Sequence, residues 1–399
     1  MNKRMVYRLV DICDIKSGKR IPKGMDYVEY PTEYPYIRAR DIKDGRIKTD
    51  SLIYLEKPVY EKIKRYIINS GDIAITIVGA SVGDVGYADD DVDGYNLTEN
   101  AVRLTHFNKD INGRYLFYML YQKQYHDYMQ LVAGAAAQPK LGIYKVERIK
   151  VSMPDREEQD RVVEVLSSYD HLININSKKI EMLEALAEKY YLSWFVLFKY
   201  PGNEKAEFQE QNPKGWILKS CKTMKIPKGW HYGELQELGE FIRGRNITAA
   251  EMIEGDIPVI SAGLQPSGYH NEANVFGDSL TVSASGANAG FLKYNLNDVW
   301  AADCSYYQHD NNLWFIYSSL RFLQPVISNL QCGAAQPHVY PKHLNRLQIL
   351  IPSQDIIEGY CNLVSPIFEN IRLLQRKIKL LESQRDMLIP RLMGGKIKI

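Results

Sequence analysis

Residues 134–142 read GAAAQPKLG, and residues 333–341 read GAAQPHVYP. The tetrapeptide AAQP at 136–139 therefore recurs at 334–337, at an offset of 198 residues. The same offset pairs Arg148 with Arg346 and Pro154 with Pro352. An offset that persists without a gap over about fifty residues predicts two copies of one structural unit within the chain.

The similarity continues upstream of this signature, but with changing offsets. LVDICDIKSGK at 9–19 resembles LQELGEFIRGR at 235–245, and YPYIRA at 34–39 resembles IPVISA at 257–262. GASVGDVGY at 79–87 resembles GANAGFLKY at 286–294. Each copy is therefore a variable globular half followed by a rigidly spaced half. Four glycines of these stretches are predicted to serve tight backbone turns rather than ligand contacts: Gly79, Gly83, Gly286 and Gly290.

The rigidly spaced half of each copy predicts a long helix. After Pro154 the chain contains no glycine or proline for about forty residues, and acidic residues stand at the start, as a helix N-terminus favours. Residues three and four apart form a heptad seam, and the seam returns 198 residues later. Its principal members are Leu166, Ile173, Asn176, Ile180 and Leu183 in the first helix, and Ile371, Leu374, Ile378 and Leu381 in the second.

Three residues interrupt this regular pattern. Asn176 is either a polar residue that fixes the register or a polar position tolerated in a frayed region, and the sequence does not decide between the two. Arg385 falls on the seam of the second helix, where an apolar residue is expected. Pro366 predicts a kink in that helix or its beginning at that residue. Two such helices in one chain most simply pack antiparallel.

The globular halves mix short β-type runs, glycine and aspartate turns and helical stretches, so the fold class is α/β (α+β). We expect two globular domains joined by two long helices in an antiparallel coiled coil, with pseudo-two-fold internal repetition. The predicted boundaries are 1–152 for the first domain, 153–198 for the first helix, 199–232 for a linker that holds PKGW twice, 233–350 for the second domain, and 351–399 for the second helix and tail.

Composition narrows the class of protein. A formal net charge of +2 does not mark the whole chain as a nucleic-acid binder, although the first fifty residues are mildly basic. The five cysteines are scattered without a CxxC pair, which fits a reducing cytoplasm better than a disulfide framework. No apolar run is long enough to span a bilayer. We therefore expect a cytoplasmic protein.

No catalytic or metal-binding motif is recognisable. The sequence lacks a GxxxxGK[ST] loop, a [DN]PP[YF] methyltransferase tetrapeptide and an HExxH pair. His338 and His343 form the nearest histidine pair, but the first copy carries Lys140 and Lys145 at those positions, which argues against a conserved metal site. We therefore predict no catalytic residues, no metal site and no cofactor on this chain.

The doubled order of these stretches resembles the specificity subunit of type I restriction–modification systems over essentially the whole chain. The resemblance implies that each globular module binds one half of a bipartite double-stranded DNA target and that the two helices separate the modules by a fixed distance. It also implies two DNA-methylating subunits as partners, allows a DNA-translocating restriction subunit, and assigns methyl donor, ATP and magnesium to those partners. Ile356 and Ile357 depart from the family-like Glu158 and Gln159, which puts the contacts at the start of the second helix in doubt.

Residues that contact DNA are predicted from residue type, because phosphates attract exposed Lys and Arg, and base edges attract Arg, Lys, Asn, Gln and Ser. The candidates of the first module are Lys16, Lys19, Arg20, Lys23, Arg38 and Arg40. Those of the second module are Arg243, Arg245, Asn246, Ser285 and Asn288.

Two rival functions stay open at this point. A coiled-coil interaction scaffold without a DNA role agrees with the modest net charge, but it does not call for paired globular modules. A DNA-modifying enzyme with an unrecognised motif is disfavoured because the methyltransferase and nuclease signatures are absent.

Overall fold

A computed structural model of the chain describes residues 4–134, 138–211, 224–308, 311–330, 338–397 and 399. These residues form two compact units. The first unit comprises Met1–Asn174 with Lys379–Ile399, and the second comprises Ile175–Ile378. Each unit therefore takes one end of each long helix. The Ala334–Pro337 signature, Ala136 and Ala137 of the first signature, and the first PKGW, at 213–216, lie outside the described residues.

The described residues of the first copy form short strands, short helices and one long helix. In chain order the elements are β1 Met5–Arg8, α1 Leu9–Ile12, β2 Asp14–Ser17, β3 Pro35–Ile37, β4 Ile42–Lys43, β5 Gly45–Ile47, β6 Ile53–Tyr54, α2 Lys57–Ile63, β7 Ile73–Thr76, β8 Val85–Tyr87, β9 Asn96–Leu97, β10 Ala101–Thr105, α3 Gly113–Tyr121, α4 Lys123–Ala133, α5 Ile143–Glu147, β11 Lys150–Met153 and α6 Arg156–Tyr191. The helices α3 and α4 meet at Gln122, whose backbone is extended.

The second copy is preceded by a hairpin and repeats much of this order, but its described residues include no counterparts of β4, β5 and α2. Its elements are β12 Phe208–Gln211, β13 Met224–Pro227, β14 His231–Glu234, β15 Ile242–Arg243, β16 Ile257–Ile260, β17 Gly268–His270, β18 Ser279–Ser283, β19 Leu292–Asn295, β20 Trp300–Ala301, β21 Cys304–Gln308, α7 Leu313–Phe322, α8 Gln324–Ser328, α9 Pro341–Asn345, β22 Gln348–Ile351 and α10 Gln354–Met393.

The sheets of the two copies share a common set of strands in the same order. The central sheet has the order β2-β10-β7-β8 in the first copy and β15-β21-β18-β19 in the second, and the first copy extends it by β5 and β4. The three-stranded sheets β6-β3-β9 and β17-β16-β20 each combine one antiparallel and one parallel pair. The pairs β1-β11 and β14-β22 close each module in front of its long helix. The prediction of an internal repeat with a mixed α/β fold is confirmed.

Apolar cores explain why these strands are short but stable. The β7 strand is buried at every position, which is typical of a strand covered on both faces. In the first unit the core joins this sheet to α3 and to residues of both long helices, among them Leu166 and Leu392. In the second unit the core likewise contains residues of both helices, among them Ala187 and Phe368.

The long helix α10 is continuous through Pro366, so of the two predicted alternatives, a kink or a helix start at this proline, the start is excluded. Proline removes the hydrogen bond to the carbonyl of Asn362, four residues earlier. Asn362 and Pro366 are both exposed, so solvent can satisfy that carbonyl. Val364 and Phe368, on the opposite face, are fully buried, and their burial outweighs the one missing hydrogen bond.

The predicted seam lies inward along both helices. Leu166, Ile173, Ile371 and Leu381 are buried, and the remaining apolar members, Ile180, Leu183, Leu374 and Ile378, are half-buried.

Asn176 is 3 % exposed in the middle of α6, and so does not lie in a frayed region. Arg385 is also buried, and it finds carboxylate partners there.

The described ends of the predicted linker 199–232 are structured. Gln209 pairs with Ile226 across the β12–β13 hairpin, and Tyr200, Ile226 and Trp230 belong to the core of the second unit. Aromatic packing orders these ends of the segment, since Trp230 lies against the rings of Phe195 and Tyr200. These parts of the segment pack as a lead-in to the second module.

Candidate DNA interface

Each module has a junction where its central sheet meets its three-stranded sheet. In the first module the backbone N–H of Gly18 donates to Ala101 O at 3.1 Å, and that of Lys19 donates to Leu97 O at 2.8 Å. In the second module Gly244 N–H donates to Cys304 O and Arg245 N–H donates to Ala301 O, both at 2.9 Å. The two junctions therefore repeat atom for atom.

Each junction requires a glycine, because another part of the backbone approaches its Cα closely. A Cβ atom on Gly18 would lie 2.1 Å from the carbonyl oxygen of Thr98, and one on Gly244 would lie 2.5 Å from that of Ala302. No side chain fits these distances. The glycines thus hold the following residues, Lys19 and Arg245, at the same place in each module.

The glycine turns predicted from the GASVG and GANAG stretches also repeat. Gly79 and Gly83 have φ of 100° and 94°, and Gly286 and Gly290 have φ of 74° and 86°. These left-handed values favour glycine over any residue with a Cβ. The prediction that the four glycines serve backbone turns is confirmed.

The segment after each Gln-Pro signature lies beside the glycine turn of its own module. In the first module Gly79 N–H donates to Pro139 O at 3.0 Å, and Leu141 N–H donates to Ile77 O at 2.8 Å. In the second module the corresponding contact joins Val339 N–H to Ala284 O at 3.0 Å. Two stretches that are far apart in the sequence thus meet, which explains why both are repeated.

The junction and the glycine turn form one continuous strip in each module. The segment that follows β9 in the first module, or β20 in the second, makes backbone hydrogen bonds to both. Ile77 N–H donates to Asn100 O at 2.8 Å in the first module, and Ala284 N–H donates to Asp303 O at 3.3 Å in the second. We call these the recognition strips. They comprise residues 18–20, 77–83 and 97–101 in the first module, and 244–246, 284–290 and 301–304 in the second.

The candidate residues of the first module lie on or next to its strip. Lys19 and Arg20 are exposed in the strip itself, and Arg20 Nε donates to the carboxylate of Glu99 at 2.7 Å. Lys16 is exposed on β2, with its Nζ 3.1 Å from Asp14. The Tyr36 hydroxyl donates to Lys19 O at 2.9 Å, which brings the chain just before Arg38 and Arg40 to the strip.

Among those remaining candidates, Lys23 and Arg40 are exposed, whereas Arg38 is half-buried. The Arg38 guanidinium donates to the buried carboxylate of Asp41 at 2.9 and 3.0 Å and also to Ser51 O. These bonds stabilise a tight turn, so Arg38 has a structural role within the module.

The candidate residues of the second module gather more closely. Arg243 and Ser285 both donate to the Asp303 carboxylate, so one acidic residue joins β15 to the glycine turn. Arg245 is exposed, with its guanidinium 5.8 Å from the centre of the Trp300 ring. Asn246 is exposed beside it, and Asn288 is half-buried in the glycine turn.

The acidic members of the strips, Glu99 and Asp303, were not among the predicted residues. Glu99 lies next to Thr98, and its pKa is lowered by the hydrogen bond from Arg20 although burial acts in the opposite direction. A carboxylate at a strip can orient an arginine or accept a hydrogen bond from a base amino group. The backbone pairing places Asp303 opposite Asn100, because Asn100 O accepts from Ile77 N–H as Asp303 O accepts from Ala284 N–H. Each module therefore carries its carboxylate in the same segment but not at the same position.

The comparisons with known proteins agree with this geometry. The sequence profile of the type I restriction modification DNA specificity domain matches residues 1–185 and 227–383, which together are most of the chain. The chain belongs to this family. Specificity domains of this family serve sequence-specific recognition of DNA in restriction–modification systems, and the specificity subunit is the non-catalytic component.

Individual relatives align with this chain over nearly its full length. The type I restriction enzyme MjaIX specificity subunit of Methanocaldococcus jannaschii is 26% identical over 413 aligned positions, covering 99% of this chain and 93% of that protein. The HindI specificity subunit of Haemophilus influenzae is 22% identical, with 98% and 99% coverage. The crystal structure of the S subunit of a type I restriction–modification system from M. genitalium has a TM-score of 0.53 at 17% identity, with 98% and 96% coverage, and shares the fold.

The described residues were also searched for membrane-spanning helices and for groups of side chains that could bind a metal. Within it, no helix is both long and apolar enough to cross a membrane. No group of three or more His, Cys, Asp or Glu side chains in the described ranges is arranged to hold a metal ion. His338 instead stacks on Tyr340, with ring centres 5.6 Å apart.

Proposed function

We propose that this chain reads a bipartite DNA target, one half-site with each recognition strip, and directs partner methylation and restriction subunits to it. The observation that carries the proposal is the doubled module: two central sheets of equivalent order, each with the same junction and glycine turn. Two modules of one design but different side chains suit a target with two different half-sites. A protein-interaction scaffold would not need a repeated strip of exposed cations.

The long helices supply the spacing that a bipartite target requires. They comprise 36 and 40 residues, which corresponds to about 54 and 60 Å at ~1.5 Å per residue. Half-sites on one face of a duplex lie about 34 Å apart for each helical turn. Helices of this length can hold two modules at such a separation, whereas a flexible linker would not define one gap.

An antiparallel arrangement of the helices is favoured by contacts within each unit. In the first unit Arg4 lies near Glu158, early in α6, and also donates to Met393 O, late in α10, whereas Asp170 pairs with Arg385. Later positions in α6 thus face earlier positions in α10. In the second unit the Tyr360 hydroxyl, early in α10, lies 3.3 Å from Ala187 O, late in α6. We infer an antiparallel coiled coil.

Exposed apolar residues on the helices favour docking of partner subunits. On α10, Leu373, Leu380 and Met387 lie seven residues apart and are each more than half exposed. Met182 of α6, which is 198 residues before Leu380, is 73% exposed. A repeated apolar position suits two copies of one partner, and we propose two DNA-methylating subunits. A DNA-translocating restriction subunit would join this assembly.

The chemistry of the system belongs to those partners in this proposal. Methyl donor, ATP and magnesium would be held by the methylation and restriction subunits. This chain would contribute binding energy and geometry, namely cations for phosphates and polar side chains for base edges.

The experiment is to co-express the chain with its neighbouring methylation subunit and to map methylated bases across the host genome. The expected result is one bipartite motif with a fixed gap. Replacing the strip cations of the first module, Lys19 and Arg20, should weaken methylation without changing the sequence of the second half-site. Absence of methylation together with absence of a complex would refute the proposal and favour the interaction scaffold.

A matched pair of insertions tests the role of the helices. Seven residues inserted in both helices, at 175 and 376, keep the seam in register and should lengthen the gap while leaving both half-sites unchanged. Seven residues inserted in α6 alone would break the pairing with α10 and should abolish methylation. An unchanged gap after the double insertion would exclude the helices as the spacing element.

A further inference from the structure

A buried ionic cluster connects the first module to both long helices. The Asp170 carboxylate of α6 accepts hydrogen bonds from Arg385 of α10 at 2.7 Å, from Arg114 of α3 at 3.3 Å, and from the Tyr118 hydroxyl. The side chains of Asp170 and Arg385 are only 12% and 10% exposed. One carboxylate therefore joins three helices of the first unit.

The cluster uses a single face of α3. Arg114, Tyr118 and Tyr121 follow one another at spacings of four and three residues, so they project from the same side of the helix. The Arg385 guanidinium lies 5.8 Å from the centre of the Tyr121 ring. The Arg114 guanidinium lies 4.5 Å from the centre of the Tyr87 ring at the end of β8. The contacts thus continue from the long helices to the central sheet.

The second copy has uncharged residues at the equivalent positions. The offset of 198 relates Asp170 to Phe368 and Ala187 to Arg385. The helices α3 and α7 are related by a different offset, because Asn112 precedes α3 and Asn312 precedes α7. This offset of 200 relates Arg114 to Trp314. Trp314 stacks on Phe368, with ring centres 3.6 Å apart and an interplanar angle of 3°. Where the second unit packs an aromatic stack, the first unit holds charges.

Stability alone does not explain why charges occupy these positions. Burying an ion pair carries a desolvation cost that often equals or exceeds its Coulombic gain, and apolar residues of similar volume can replace it without loss. Burial, with the adjacent carboxylate of Asp170, raises the pKa of Tyr118 well above its ordinary value, so this hydroxyl stays a donor. What hydrogen-bonded charges add over apolar packing is direction, because their geometry is fixed.

We propose that Asp170, with Arg114, Tyr118 and Arg385, forms a positioning cluster that fixes the orientation of the first module on the two long helices and thereby the gap between the half-sites. This inference rests on the proposed function, because the gap exists only if the target is bipartite. Arg385, which interrupts the apolar seam, is the residue that brings α10 into the cluster.

The test uses the full chain with its methylation subunit and compares the distribution of gap lengths in methylated sites. Asp170→Asn keeps the shape of the side chain and removes the charge. It should leave both half-site sequences unchanged and raise the share of sites whose gap differs by one base pair by about tenfold. Arg385→Lys keeps a charge but loses the forked geometry, so its effect should be smaller. Glu157→Gln, in an exposed ion pair of the same helix, should retain the wild-type gap.

A second variant covers the case in which Asp170→Asn fails to fold. The block Arg114→Trp, Tyr118→Ser, Asp170→Phe and Arg385→Ala gives the first module the residues of the second. It should melt cooperatively and show the same relaxed gap. A single wild-type gap in a folded variant of either kind would overturn the inference. If the wild-type chain itself yields no bipartite motif, the proposed function fails, and the inference falls with it.

Discussion

Gln159 and Ile357 occupy the same position of the repeat, 198 residues apart, and stabilise their helix starts by opposite means. The buried amide of Gln159 donates to Asp110 O at 3.0 Å and to Pro154 O at 2.9 Å, and it accepts from the backbone N–H of Asn112 at 2.8 Å. Ile357 is fully buried in the apolar core of the second unit. The doubt that the sequence raised about this helix start was justified.

Gln159→Ala should therefore destabilise the first unit by about 3 kcal/mol, because it leaves buried backbone groups without partners. Denaturant unfolding followed by circular dichroism measures the change. Gln354→Ala is the matched control, since Gln354 is exposed at the start of α10 and its hydrogen bonds to Asn312 and Glu358 are open to solvent. We expect the control to change stability by less than about 0.5 kcal/mol. Equal effects of the two variants would contradict this account.

Replacing a glycine by alanine should change the stability of the chain in opposite directions at different sites. Gly18→Ala and Gly244→Ala should each destabilise the chain by about 3 kcal/mol, because the added Cβ collides with backbone oxygens that cannot move freely. Gly359 lies inside α10, and a Cβ there would meet only the Trp194 ring at 3.7 Å. Gly359→Ala should stabilise the chain by about 0.5–1 kcal/mol. Thermal melts of the three variants measure these changes, and a stabilising Gly18→Ala would refute the junction geometry.

The exposed cations of the strips should contribute to DNA binding through phosphate contacts. Lys19→Ala and Arg245→Ala should each weaken binding of the assembled complex and reduce the slope of log K against log salt by about one. Lys64→Ala is the control, because Lys64 is an exposed lysine paired with Glu61 on α2. Titration of fluorescent duplex DNA at several salt concentrations gives the slopes. Unchanged slopes for both strip variants would remove these residues from the interface.

Arg38→Ala should behave differently from the strip variants. Its loss leaves Asp41, which is 2% exposed, without its charged partner. We expect a loss of about 3 kcal/mol in the free energy of unfolding, because a buried charge stays behind. A variant of normal stability with weakened DNA binding would instead return Arg38 to the interface.

Sequence periodicity predicted much of this fold because its signals are local or repeated. The offset that relates Leu183 to Leu381 predicted two copies, and heptad spacing predicted the buried seam. Periodicity could not show that Arg385 meets Asp170, since 215 residues separate them. It also left open whether α10 kinks or begins at Pro366, because the effect of that proline depends on whether its neighbours are buried. The strips were predicted only as residue types, and their shape comes from backbone pairing between distant segments.

Two buried thiols make the stability of the chain depend on pH in the alkaline range. Burial raises the pKa of Cys13 and of Cys304 to about 12, whereas a thiol in the unfolded chain has a pKa of about 8.5. Because the folded pKa is raised, the folded chain keeps these protons, and the stability they contribute is complete below the unfolded pKa. That contribution is lost as the pH rises from about 8.5 toward 12.

The free energy of unfolding should thus fall by about 1 kcal/mol per thiol between about pH 8.5 and 9.5. Cys13→Ala and Cys304→Ala should each remove that share of the slope, while any cavity they create lowers stability equally at both pH values. Urea unfolding at the two pH values measures the difference. In the same pH range both thiols should resist iodoacetamide until the chain is unfolded, and rapid alkylation of either in the folded protein would contradict its burial.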